Sequence, residues 1–270
     1  MTRLKHIKKR YVTTILVGPQ ERQGIASIAQ NKVAGNIKDE NTAGFDQGLL
    51  FPSNSDAIGA FAYVLDGVKH LIPEPDYVCL NFDAAYIHWK HLIKARIHLI
   101  AWLKMEPKVE LPHNQLYGYF GTAMLYINTL FTSLEAAMNR CIPKGYEHRT
   151  EKQGKVTTLN KEGIQRYMDM NDKLKIIKSV TKKDFALREG KKMALIQKLK
   201  DVRDLTTHPK DEERGIVKYP LLYTALLDFD FDNTIIAAMD FINYYSEKSL
   251  IEECTCGHTE NDYDSAHALG

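Results

Sequence analysis

At 270 residues, with 44% hydrophobic and 26% charged side chains, the chain has an ordinary globular composition and suits one large domain or two small ones. Its four cysteines, at 79, 141, 254 and 256, are too scattered for a disulfide framework, which points to a reducing, cytoplasmic setting, and no apolar run nears the roughly 20 residues that span a bilayer. The formal net charge of +2 hides a segregation: residues 140–200 hold 17 Lys/Arg against 7 Asp/Glu, and residues 216–270 hold 2 against 10. A basic region of this kind is the electrostatic footprint of a polyanion binder, although solvated helix faces produce the same count.

Residues 1–54 read as a small β-containing segment. Tyr11–Val17 is β-branched and ends at Gly18-Pro19, and it is too short and too rich in threonine for a signal peptide. Glycines at 24, 35, 44 and 48 break residues 20–54 into short strands and loops. From residue 55 the pattern predicts a helical bundle that runs to about residue 250. Ser55-Asp56 can cap a helix to about Leu71, stopped by Pro73 and Pro75. A second helix spans Asp83 to about Met105. Its His88 and His91 share a face, but no acidic residue stands at ligand spacing, which disfavours a metal site.

The third helix, about His113 to Cys141, is the clearest. Tyr117, Phe120, Met124, Ile127, Phe131, Leu134, Met138 and Cys141 recur at three- and four-residue spacing and form one apolar stripe. A polar line of Asn128, Thr132, Glu135 and Asn139 runs beside it. Pro143 ends the helix, and a basic polar connection extends from there to Gly163. Two more helices are predicted, about Lys161–Ser179 and Lys191–Leu205, and a final one at about Thr234–Leu250. Residues 251–270 read as a flexible acidic tail. Within it, Cys254, Cys256 and His258 are three soft ligands that His267 or Asp262 could complete to four, at a spacing that matches no standard zinc site, and a disordered acidic tail is the favoured reading. Glycine-rich phosphate loops, Gly-x-Ser-x-Gly and His-Glu-x-x-His are all missing, which argues against P-loop, α/β-hydrolase and zinc-protease chemistry.

The segment that carries chemistry is Arg203-Asp204-Leu205-Thr206-Thr207-His208-Pro209-Lys210, at the end of an amphipathic helix. Ile196, Leu199 and Arg203 lie at i, i+3 and i+7, so Arg203 continues the inward stripe. A permanent cation and a base with a pKa near 6.5 thus stand together at a helix terminus. That combination can hold a phosphodiester and move its proton. The alternative is purely structural, with Arg203 paired to Glu135 and His208 ending the helix.

This segment, with the upstream Ser133-Leu134-Glu135-Ala136-Ala137-Met138-Asn139-Arg140-Cys141-Ile142-Pro143, resembles the HEPN-domain family. The resemblance covers about residues 113–250. It implies a mainly α-helical bundle, dimerisation that brings two Arg/His motifs to one cleft, and metal-independent cleavage of RNA without a cofactor. It also implies a setting in phage defence or a toxin–antitoxin pair, with an antitoxin or defence partner. Under it Arg203 and His208 are the catalytic pair, Asp204 is the polar residue of the motif, and Glu135 and Asn139 support them. A 2′-hydroxyl would attack the adjacent phosphorus and expel a 5′-oxygen. His208 would move the proton and Arg203 would hold the developing charge. Some members of the family are catalytically silent, so the second reading is a HEPN-like module that binds a partner protein or nucleotide.

Overall fold

A computed structural model describes residues 7–9, 14–15, 47–50, 57–105, 113–152, 155–209 and 216–253. The fold is mainly α-helical, and the chain divides into two compact units: Lys9–Cys79, and Met1–Lys8 with Leu80–Gly270.

The smaller unit is an antiparallel sheet. Strands β2 (Thr14–Ile15), β3 (Gln47–Leu50) and β5 (Val68–Pro73) all pair with the long β4 (Ala57–Leu65). The β4–β5 hairpin turns at Asp66-Gly67, with φ of 50° and 78° and Leu65 opposite Val68. Two consecutive positive φ values define the two-residue turn whose twist matches the strands, and Asp-Gly is a preferred pair for it. The helix expected over residues 55–71 is therefore corrected: the segment is this hairpin, and the β-containing region reaches Pro73.

The larger unit is a helical bundle. Helix α1 (Tyr77–Leu103) begins at Asp76, whose buried Oδ1 accepts from the amides of Val78 and Cys79 at 3.0 Å each. Helix α2 (His113–Arg140) packs on α4 (Met170–Thr181), α6 (Gly190–Thr207), α7 (Pro220–Leu227) and α8 (Phe231–Tyr245). Helices α3 (Lys161–Tyr167) and α5 (Phe185–Arg188) are short. Ile127, Phe131, Leu134 and Met138 of α2 are buried as the periodicity predicts. Tyr117 is exposed, however, and Tyr119, Ala123, Tyr126 and Leu130 also fill the core.

Polar groups tie the α7–α8 connection down. Arg96 donates to the carbonyls of Leu227 and Phe229, Tyr119 to that of Leu226, and Tyr126 to that of Phe231. Trp89 Nε1 donates to Asp232 at 2.8 Å. Carbonyls freed at a helix end need such partners when water is excluded.

Three more expectations are revised. The helix expected over Lys161–Ser179 is two, because Asp169 ends one and caps the next through the Asp172 amide. The connection from Lys144 to Gly163 contains a hairpin of β6 (His148–Lys152) and β7 (Lys155–Leu159). Ile251–Glu253, expected in the acidic tail, is strand β8 and pairs with β1 (Ile7–Lys9). Asn243 accepts from the amides of Leu250 and Ile251, and its Nδ2 donates to the Ile251 carbonyl, which seats the strand. Cys254, Cys256, His258, Asp262 and His267 lie outside the described residues. Cys79 is buried in α1, and Cys141 is half-buried just past the end of α2.

Candidate functional site

Helix α6 stops at the motif for local reasons. Pro209 disfavours helical geometry at the residue before it, and His208 is the C-cap with φ −131° and ψ 60°. Its amide still donates to the Asp204 carbonyl at 2.9 Å. The hydroxyls of Thr206 and Thr207 both donate to the Arg203 carbonyl, at 2.8 and 3.0 Å, which braces the last turn at the arginine. His208 is exposed.

The Arg203 side chain is half-buried and held on two sides. Its guanidinium lies 4.8 Å from the centroid of the buried Phe131 ring on α2, and Nη1 donates to Asp204 Oδ1 at 3.0 Å. A planar cation stacked on an aromatic face gains electrostatically and has a fixed orientation. Asp204 also takes Lys200 Nζ on Oδ2 at 2.8 Å. Burial works to raise the Asp204 carboxyl, but the hydrogen bonds from Lys200 and Arg203 outweigh it and hold the pKa below the ordinary 3.8. The same bond raises Lys200. Two cations face one carboxylate, so the cluster keeps a net positive charge at neutral pH.

Thr206 Oγ1 also reaches Asn128 Oδ1 at 3.2 Å, so one hydroxyl proton serves two acceptors. Contacts of residues 128 with 206 and 131 with 203 mean that α2 and α6 run antiparallel here. Glu135 therefore lies about 6 Å further along α2 than Phe131, away from His208. Among the described residues Arg203 pairs with Asp204, and the expected ion pair with Glu135 does not form. Glu135 Oε1 instead accepts from Lys173 Nζ at 2.8 Å. Lys173 is 1% exposed and donates as well to the Gln165 carbonyl at 2.8 Å. The Asn139 carbonyl accepts from Gln165 Nε2 at 3.5 Å, and its buried Oδ1 has no partner among the described residues.

The structure thus brings Arg203, Asp204 and His208 together at one helix end and places Glu135 and Asn139 in a separate polar cluster with Lys173 and Gln165. The neighbours that hold the motif are Phe131, Asn128, Thr206 and Lys200. Asn128 and Phe131 are visible in the sequence as members of the polar line and the apolar stripe, but nothing in the chain states which of their turns faces residue 203.

No protein-family model, no curated protein and no solved structure matches the chain. Among the described residues, no three His, Cys, Asp or Glu side chains gather where a metal ion would bind. Burial, followed by the neighbouring His91, lowers the pKa of His88. No described helix is long and apolar enough to cross a membrane.

Proposed function

We propose that the protein is a metal-independent endoribonuclease of the HEPN type, acting in the cytoplasm. The observation that carries this reading is an exposed His208 capping the same helix end at which Arg203 is fixed by Phe131 and Asp204. The RNA 2′-hydroxyl attacks the adjacent phosphorus, a phosphorane-like state forms, and the 5′-oxygen leaves. One proton leaves the 2′-oxygen and one reaches the 5′-oxygen. An imidazole can accept a proton as base or release one as acid, so a histidine suits either transfer. Arg203 has a permanent charge and five donors, of which Asp204 engages one nitrogen, so others are left for phosphate oxygens. Because one histidine supplies one proton-transfer group, the reading includes a homodimer in which two copies share the cleft. Asp204 and Phe131 position the arginine, and Asn128 holds the turn through Thr206. Glu135 and Asn139 support the bundle beside it. A defence or toxin–antitoxin setting, with its partner, is what the family resemblance adds.

The test is the product. Incubation of the protein with a labelled single-stranded RNA in EDTA is expected to leave 2′,3′-cyclic phosphate ends, and a 2′-deoxy substitution at the cut position is expected to block cleavage there. Cleavage of the 2′-deoxy substrate, or a strict requirement for added divalent metal, would contradict the mechanism.

A further inference from the structure

Six cations of the basic stretch lie toward one end of the bundle. Arg140 closes α2, Lys161 opens α3, Lys178, Lys182 and Lys183 lie at the end of α4, and Arg188 ends α5. Lys161 Nζ donates to the Ile142 carbonyl at 2.6 Å, which seats α3 against the end of α2. Lys183 Nζ donates to the Tyr244 carbonyl at 3.0 Å and stands 5.7 Å from that ring, and the Arg188 guanidinium stands 5.4 Å from the same ring. The Cys141 thiol registers the convergence: burial raises its pKa while Lys183, Arg140 and Lys161 pull it down. Asp184 offsets part of this charge through Lys178 at 2.7 Å, and Glu189 offsets part of it through Arg188 at 3.8 Å.

Some of these cations serve the fold. Lysines at helix C-termini complement the macrodipole, and Lys161 and Lys183 cap carbonyls directly. Lys182 differs. It is exposed and sits in the left-handed region at φ 58° as the C-cap of α4. Glycine or asparagine is preferred in that conformation. The backbone argues against lysine there, and no hydrogen bond or ion pair of its side chain is made among the described residues. It adds an exposed charge beside the exposed Lys183 and Arg188.

This surface is not at the Arg203–His208 turn. Helix α6 runs from Gly190 to Thr207 between the two, about 25 Å at 1.5 Å per residue. Lys191 and Lys198 are exposed along its length.

We propose that this cluster is a second RNA-binding site, which takes the phosphate backbone of a strand cut at the far end of α6. It rests on the ribonuclease reading. A strand that reaches from the motif to this cluster must span about 25 Å, so the site selects for length.

The test uses the full-length protein, the double variant Lys182→Gly/Arg188→Gln, and two labelled mixed-sequence single-stranded RNAs, a 20-mer and a 4-mer. Neither substituted side chain belongs to the motif, and glycine suits the position-182 backbone, so the melting temperature should not fall. With a 20-mer of the same sequence carrying 2′-O-methyl groups, which has no 2′-hydroxyl to attack and stays whole, the variant is expected to bind at least tenfold more weakly. The slope of log affinity against log salt should drop by about 1.4, or 0.7 per lost phosphate contact. Cleavage of the 4-mer should be unchanged. Affinity for the 20-mer equal to wild type would overturn the second site. So would equal losses on both RNAs, or lost binding to phosphatidylserine vesicles with RNA affinity intact, which would assign the surface to a membrane. His208→Ala is the separate arm. If it binds the 20-mer and no longer cuts it, the nuclease reading stands whatever the double variant does; if it still cuts, that reading fails. Wild type that does not bind the 20-mer at 50 mM salt overturns both.

Discussion

Arg203 combines a fixed charge with a fixed orientation, and the two are separable by mutation. Arg203→Lys keeps the charge but loses the fork and the flat contact with Phe131. Steady-state kinetics should show kcat down by about a hundredfold or more, the usual scale for loss of one donor to a developing oxyanion, with little change in melting temperature. A variant as active as wild type would mean that guanidinium geometry plays no part. Asp204 adds a pH signature. Its folded pKa is lowered, so its stabilising contribution is complete above the ordinary carboxylate value and is lost as pH falls through the folded one. The stability difference between wild type and Asp204→Asn should be constant from about pH 5 upward and shrink in acid. Its size should be small, because the carboxylate is 40% exposed and screened by solvent. Glu135 and Lys173 are asymmetric partners. Removing Glu135 strands a buried ammonium, whereas removing Lys173 leaves a carboxylate that water can reach. Glu135→Ala should cost about 2 kcal/mol, and Lys173→Met introduced on top should recover much of it, as read by urea unfolding. Equal effects of the two single changes would refute the asymmetry.

At the scale of elements, the Asp66-Gly67 turn and the α7–α8 connection each rest on a few atoms. Gly67→Val places a β-branched residue at φ 78° and should destabilise the hairpin by about 1–2 kcal/mol. Tyr126→Phe removes the hydroxyl's bond to the Phe231 carbonyl, which keeps its helical donor in the first turn of α8, and should cost about 1 kcal/mol with the packing otherwise kept. The long helices are legible because α2 and α6 carry apolar residues at three- and four-residue spacing, and their limits, His113–Arg140 and Gly190–Thr207, stop just short of Pro143 and Pro209. The β4–β5 hairpin is hard to read, since Ala57-Ile58-Gly59-Ala60-Phe61-Ala62 lacks strict alternation and Ser55-Asp56 imitates a helix cap. Its one clear signal is Asp66-Gly67. The break at Asp169 is hidden for a related reason: a single capping aspartate interrupts an otherwise continuous pattern. In the candidate site, periodicity places Arg203 on the inward stripe correctly. It does not give the register between helices, which sets Phe131 and Asn128, one turn short of Glu135, against the motif.

At the scale of the whole molecule, charge is sorted along the chain, and part of its basic stretch lies toward the end of α6 away from His208, with Lys191 and Lys198 exposed along the helix. RNA binding should therefore weaken steeply with salt, as phosphate contacts release counterions. Affinity that is flat between 50 and 200 mM salt would contradict an electrostatic footprint. Sedimentation should find a dimer at the concentrations where RNA is cut, and an active monomer would contradict the shared cleft. The most direct measurement is RNA cleavage in EDTA by wild type and by His208→Ala. Because His208 is an exposed cap residue with little packing, the variant should keep the wild-type melting temperature and bind RNA while losing cleavage by at least a hundredfold. Cleavage at the wild-type rate by folded His208→Ala would contradict the account.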